Sequence, residues 1–216
     1  MRMAWKLSCT CALGLFGLVT ACSDPVGQAA QGALSFDLTT TTGPGLGICP
    51  PGAHWINVPF SPTRAQQTSA TSKGALGVDG QNQVAITCTV KDNGGGVFGV
   101  SASFRAPAAD SNGKSVDPTQ VTLLTTLGAD QSAPGSVTVK DAATGTTFSS
   151  VDDQGQAAAT CMFSVHRLLM TDLLEVAPGR IWASVTCPRI RDTMSSNAME
   201  ACAVSPGFFV LENCAQ

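Results

Sequence analysis

The 216-residue chain contains no tyrosine and only two histidines, and charged side chains make up just 12 % of it. Each shortage removes a class of function. With no tyrosine and 6 % aromatic residues, there is little material for a platform on which sugar rings could stack. With two histidines, His54 and His166, and no pair of cysteines at C-x-x-C spacing, the common ligand patterns for zinc are missing. A formal net charge of −3 gives no basic face of the kind nucleic acid requires. The longest apolar stretch, Leu7–Ala21, falls short of the roughly 20 residues of a membrane-spanning helix.

What is present starts at the N-terminus. Arg2 and Lys6 precede that apolar stretch, and it ends in small residues. A positive n-region, an apolar h-region and a small-residue cleavage site make a secretory signal. Its last residues, Val19-Thr20-Ala21-Cys22, resemble the lipobox of bacterial lipoproteins, with valine where leucine is commonest. The resemblance covers residues 1–22 only. It implies diacylglyceryl transfer to the sulfur of Cys22, cleavage just before it, and anchoring by two or three acyl chains. One chain holds weakly, whereas two hold stably. An ordinary signal peptidase would cut the same bond and leave Cys22 as a thiol. Cysteine parity separates the two outcomes. Of nine cysteines, Cys9 and Cys11 leave with the signal. If Cys22 is acylated, Cys49, Cys88, Cys161, Cys187, Cys202 and Cys214 remain, an even set that fits three disulfides in an exported protein. Of the twelve basic residues, Arg2 and Lys6 are lost on cleavage, so ten face fifteen acidic ones and the formal charge becomes −5.

Residues 23–32, SDPVGQAAQG, are small and polar and read as a tether. The expected organisation is a signal peptide at 1–21, a lipidated N-terminus and tether at 22–32, and one domain over 33–216. Within that domain the hydrophobic period is two, the signature of strands. Leu34, Phe36 and Leu38 alternate with small or polar residues. Val84, Ile86, Cys88 and Val90 share a face, as do Phe98, Val100, Ala102 and Phe104 across the Gly-rich turn KDNGGG. SVTVK and TTFSSV flank DAATG, a second hairpin with Gly145 where positive φ is needed. Cys161, Phe163 and Val165 alternate, and so do Ile181, Ala183, Val185 and Cys187. Helix signals are confined to RLLMTDLLEV, which also fits a strand pair, and to Asn197 with Glu200 as a short capping pair. The fold class is therefore all-β, an antiparallel β-sandwich stapled by disulfides with little helix. Six cysteines allow 15 pairings. The expected set is Cys88–Cys161 between strands, Cys187–Cys202 closing a loop, and Cys49–Cys214 joining the first part to the last.

Candidate chemistry is sparse. Ser101 in GVSAS lacks the second glycine of a nucleophile elbow and sits in an alternating strand. His54 and His166 would need a nucleophile and an orienting acid nearby. Asp152 and Asp153 are adjacent, so a strand would point them apart, and they suit a turn. DSNGKSVD, Asp110–Asp117, places its glycine fourth rather than sixth and a lysine where calcium wants an oxygen, so it reads as a solvated loop. Trp182 alternates away from Ile181 and Ala183; it either marks an outer binding surface or, the favoured outcome, packs under a covering segment. Phe208 and Phe209 are adjacent, so one should face outward. Arg180, Arg189 and Arg191 form a solvated rim.

The reading is a bacterial cell-envelope lipoprotein displaying a non-enzymatic binding or structural module. Its partners are the membrane, through the lipid on Cys22, and an envelope protein or glycan; no nucleic acid and no cofactor are expected. Ser23 fits outer-membrane sorting as known in some bacteria. The competing reading is an anchored hydrolase using His54 or His166 with a nearby carboxylate.

Overall fold

The structure, a computed structural model, describes residues 27–40, 49, 54–58, 76–109, 115–141, 145–152, 156–166, 175–193 and 201–216. Among these there is no helix. In chain order the strands are β1 (Gln31–Thr40), β2 (His54–Val58), β3 (Gly77–Val78), β4 (Ala85–Asp92), β5 (Val97–Ala109), β6 (Ser115–Gly128), β7 (Ala133–Lys140), β8 (Thr147–Ser150), β9 (Cys161–Val165), β10 (Val176–Ala177), β11 (Arg180–Asp192) and β12 (Ala201–Glu212). The all-β class read from the sequence is thus observed. The expected signal peptide, Cys22 and the expected tether up to Val26 lie outside the described residues. The first strand starts at Gln31, two residues before the expected boundary, because Gln31 and Gly32 pair with Glu212 and Leu211 of β12.

The strands form one continuous antiparallel sheet in the order β2-β1-β12-β11-β8-β7-β6-β5-β4. β8 and β9 share the slot between β7 and β11 end to end. Where β8 stops and β9 has yet to begin, the Ser150 hydroxyl fills in. It accepts from the Val137 N–H at 3.2 Å and donates to the Ala158 carbonyl at 2.7 Å, so both of these backbone groups stay paired at the break.

The two ends of this sheet are folded onto one core. Inward residues of β4 and β5, among them Ile86, Val90, Val100 and Phe104, join Leu34 of β1 and Ile181 and Leu211 of β11 and β12 in a single apolar cluster. Phe163 and Phe209 meet edge to face, 6.0 Å between centroids. Glycines allow the closest approaches. A Cβ on Gly32 would lie 2.8 Å from the Val210 carbonyl and 3.0 Å from Phe104 Cε1. One on Gly135 would lie 2.5 Å from the Leu124 carbonyl and 2.6 Å from Phe163 Cε2. The hairpin glycine expected at 145 has φ +71°.

β4 ends the hydrogen-bonded order, yet its outer edge is covered. Asp79 Oδ1 accepts the Ile86 N–H at 2.9 Å. Ala215 donates to the Cys88 carbonyl at 3.0 Å and accepts from the Val90 N–H at 2.8 Å, and Gly179 donates to the Val90 carbonyl at 2.8 Å. Asp79 is itself tied to Ala30 at the start of β1, and Gly179 immediately precedes β11. β4 therefore crosses the ends of β1, β12 and β11.

All six cysteines after Cys22 are paired, but none of the expected pairings occurs. The bonds are Cys49–Cys202, Cys88–Cys214 and Cys161–Cys187. Cys161 lies opposite Cys187 as the next rung after Met162↔Thr186, so its partner is the neighbouring strand, not Cys88 at the sheet's end. Cys88 meets Cys214 because the C-terminal tail runs along β4. Cys202 lies opposite Thr40 in β12, leaving Cys49, just beyond β1, within 4.4 Å (Cα–Cα).

Cross-linking residues 126 apart restricts the unfolded chain more than cross-linking residues 26 apart. The chain-entropy relation gives about 5 against about 3.5 kcal/mol. Urea denaturation should therefore show a larger loss for Cys88→Ser/Cys214→Ser than for Cys161→Ser/Cys187→Ser; the reverse order would contradict the sealing of β4. Gly135→Ala should cost about 1–3 kcal/mol by overpacking, read as a lowered Tm.

Candidate functional site

The outward residues divide the sheet into two regions with different surroundings. Over β11, β12 and β1 the outer face is buried around Trp182 and exposed farther along, at Thr186, Pro188 and Thr39. Trp182 is 5 % exposed, Val210 beside it is also buried, and so is Ser35. Trp182 thus follows the favoured outcome, packing rather than display. Its indole lies against the His166 ring, with centroids 4.0 Å apart and planes tilted by 31°. The backbone laces this corner together: His166 N–H donates to the Trp182 carbonyl at 2.8 Å, Trp182 N–H to Glu175 at 2.8 Å, and Glu175 N–H to His166 at 3.1 Å. Phe208 is half-buried and Phe209 buried, as their alternation requires.

The candidate catalytic groups are not brought together. Ser101 is exposed on β5, with β6 and β7 lying between it and β9, which leads to His166. Three strand steps correspond to about 14 Å, beyond hydrogen-bond reach. His54 belongs to β2, its side chain outside the described residues. Asp152 closes a turn, its Oδ1 accepting the Gln156 N–H at 2.9 Å, while Asp153 lies outside the described residues. Of Asp110–Asp117, the residues from Ser115 onward belong to β6 rather than to a loop, and those before it lie outside the described residues. Arg180 is exposed, whereas Arg189 and Arg191 are half-buried, so the expected rim is only partly solvated. The helix candidates at 167–174 and 197–200 also lie outside the described residues. Among the described residues no group of three His, Cys, Asp or Glu side chains is placed to hold a metal.

The second region, the outer face of β4 to β8, is open. One rung across it carries only hydroxyls: Thr87, Ser103, Thr122, Thr138 and Ser149. The next rung holds Thr89, Ser101, Leu124 and Ser136. Beside Leu124, where Gly99 contributes no side chain, lies a shallow depression of about 220 Å³ bounded also by Lys91, Asn93, Ser101 and Thr126. Most of these residues belong to alternating strands visible in the sequence, but only the register places them on one surface. No protein-family model, curated protein or solved structure matches the chain.

Since the Trp182 indole is buried while its stack with His166 is one contact among several, truncations there should differ in cost. Trp182→Ala should lose about 3–5 kcal/mol and His166→Ala about 0.5–1.5 kcal/mol, both read by circular dichroism in urea. A His166→Ala loss as large as that of Trp182→Ala would mean that the histidine does more than pack.

Proposed function

We propose that this chain is a bacterial cell-envelope lipoprotein whose β domain, held at the membrane by a lipid on Cys22, serves as a non-enzymatic binding or structural module. The observation that carries the reading is the cysteine count. The three disulfides use all six cysteines of the domain, so Cys22, in its lipobox-like setting, stands outside that set. Three disulfides also suit an oxidising compartment outside the cytoplasm. Ser23 supports placement in the outer membrane. A cross-linked sheet with an open hydroxyl-bearing face is compatible with display of a surface. A hydrolase pairing His166 with Ser101 is disfavoured by the three strand steps between them.

Expression in a Gram-negative host, followed by membrane fractionation, tests the anchor. The wild type should sediment with membranes, and its N-terminal peptide should carry the mass of a diacylglyceryl group and an amide-linked acyl chain. Cys22→Ala should remain unprocessed by the lipoprotein peptidase and lack that mass. An unmodified Cys22 thiol in the mature wild type would refute the assignment.

A further inference from the structure

The tip of the hairpin that joins β4 to β5, Asp92-Asn93-Gly94-Gly95-Gly96, is exposed at every residue. The three glycines have φ of +90°, +64° and +75°, and a Cβ on any of them would meet open space. Asn93 N–H donates to the Val97 carbonyl at 2.8 Å and Val97 N–H to the Gly94 carbonyl at 3.2 Å, so backbone bonds close the turn.

Asparagine is thermally labile, and most so before glycine. Its side-chain carbonyl carbon, Cγ, lies one ring closure from the next backbone nitrogen. A following side chain obstructs that approach, and glycine has none. Among the described asparagines, Asn57 precedes Val58, Asn82 precedes Gln83 and Asn213 precedes Cys214, whereas Asn93 precedes Gly94. The structure adds a base. Asp92 Oδ1 accepts the Gly94 N–H at 2.7 Å, an Asx turn. This sets a carboxylate on the proton that the nitrogen must lose in order to attack. A general base has to stand within about 2.6–3.2 Å of the atom that it deprotonates, and this one does. The Asn93 amide leans over Gly99, its Nδ2 3.1 Å from where a Cβ would sit, so position 99 supplies no side chain to confine it.

We infer that Asn93 is a site of self-catalysed deamidation with Asp92 as its base. The Gly94 nitrogen attacks Asn93 Cγ, and the N–Cγ bond forms as the Gly94 proton passes to Asp92 Oδ1. The Cγ–Nδ2 bond then breaks. Ammonia leaves with that proton, which restores the carboxylate and leaves a succinimide ring. Water opens the ring at either carbonyl. Attack at Cγ gives aspartate; attack at the backbone carbonyl gives isoaspartate, with one more methylene in the main chain. The chain and water are the only reactants. The products alter the open face. Asn93 and Lys91 line the same depression, so a carboxylate formed there offsets the Lys91 ammonium. Isoaspartate also lengthens the chain between the Asn93 N–H and the Gly94 carbonyl, both of which bond Val97, and loosens the hairpin beside its last pair, Asp92↔Phe98. The face therefore changes charge, and the turn its shape, with the age of the molecule.

The test is peptide mapping of the folded, disulfide-intact protein during incubation at mildly alkaline pH, by mass spectrometry with fragmentation that tells aspartate from isoaspartate. Asn93 should gain the mass of the amide-to-acid change and give both products. Asp92→Ser keeps an oxygen able to accept the Gly94 N–H but supplies no carboxylate. It should slow conversion about tenfold, less than the roughly hundredfold typical of a positioned general base. Asn93→Gln should abolish conversion, because the ring would need one more atom. Both substitutions fall at exposed positions, so the fold is retained. An Asn93 still intact when a synthetic peptide of residues 90–98 has converted would overturn the proposal, since the fold would then protect the amide. A rate in Asp92→Ser equal to or above that of the wild type would overturn the role of Asp92. The outcome is independent of Cys22: acylated and unacylated chains should convert alike.

Discussion

The covering of the β4 edge is the constraint on which the rest of the architecture depends. An open sheet of this size would leave a row of backbone donors and acceptors at its end, a template for pairing with any other chain. Here Asp79, Gly179 and Ala215 meet that row, and the Cys88–Cys214 bond holds the tail in place beside it. The same closure brings Phe104 down onto Gly32 and merges the two ends of the sheet into one apolar core. Two layers arise from one sheet because its terminal strand is captured by the chain's last residues.

That arrangement makes the fold strongly non-local. β1 pairs with β12, joining Gln31 to Glu212, and Ala215, which seals β4, is 126 residues beyond its bridge partner Thr89. Contacts of this separation are reached only after a large loss of chain entropy. Long-range disulfides offset part of that loss by restricting the unfolded state. A domain that folds where thiols oxidise can use this means of stabilisation.

Closure also divides the surface. The outer face of β11, β12 and β1 is buried around Trp182, which contributes to stability through His166 and the surrounding backbone bonds. The outer face of β4 to β8 is left as the accessible sheet surface. The cysteines divide in the same way. Six hold the fold together and Cys22 stands apart from them.

Alternation alone made β4, β5, β7, β9 and β11 legible, down to which side chains face the core, because a half-buried strand writes its geometry into every second residue. β6 carries the same pattern in Val121, Leu123 and Leu127, but it begins within the polar stretch read as a loop, so local composition hid its start. The even number of domain cysteines was likewise evident from the sequence, since it follows from counting. Their partners were not. Pairing depends on which strands become neighbours and at what register, and Cys161 meets Cys187 only because β9 enters the slot beside β11. Nor does the sequence show that Thr87, Ser103, Thr122, Thr138 and Ser149 share one rung, since they come from five strands. The sequence by itself determined the strand period, the inward faces and the number of thiols, all properties of short segments. Only the tertiary structure decided the neighbours, because these are set by a global closure in which the last residues of the chain seal the edge of its fourth strand.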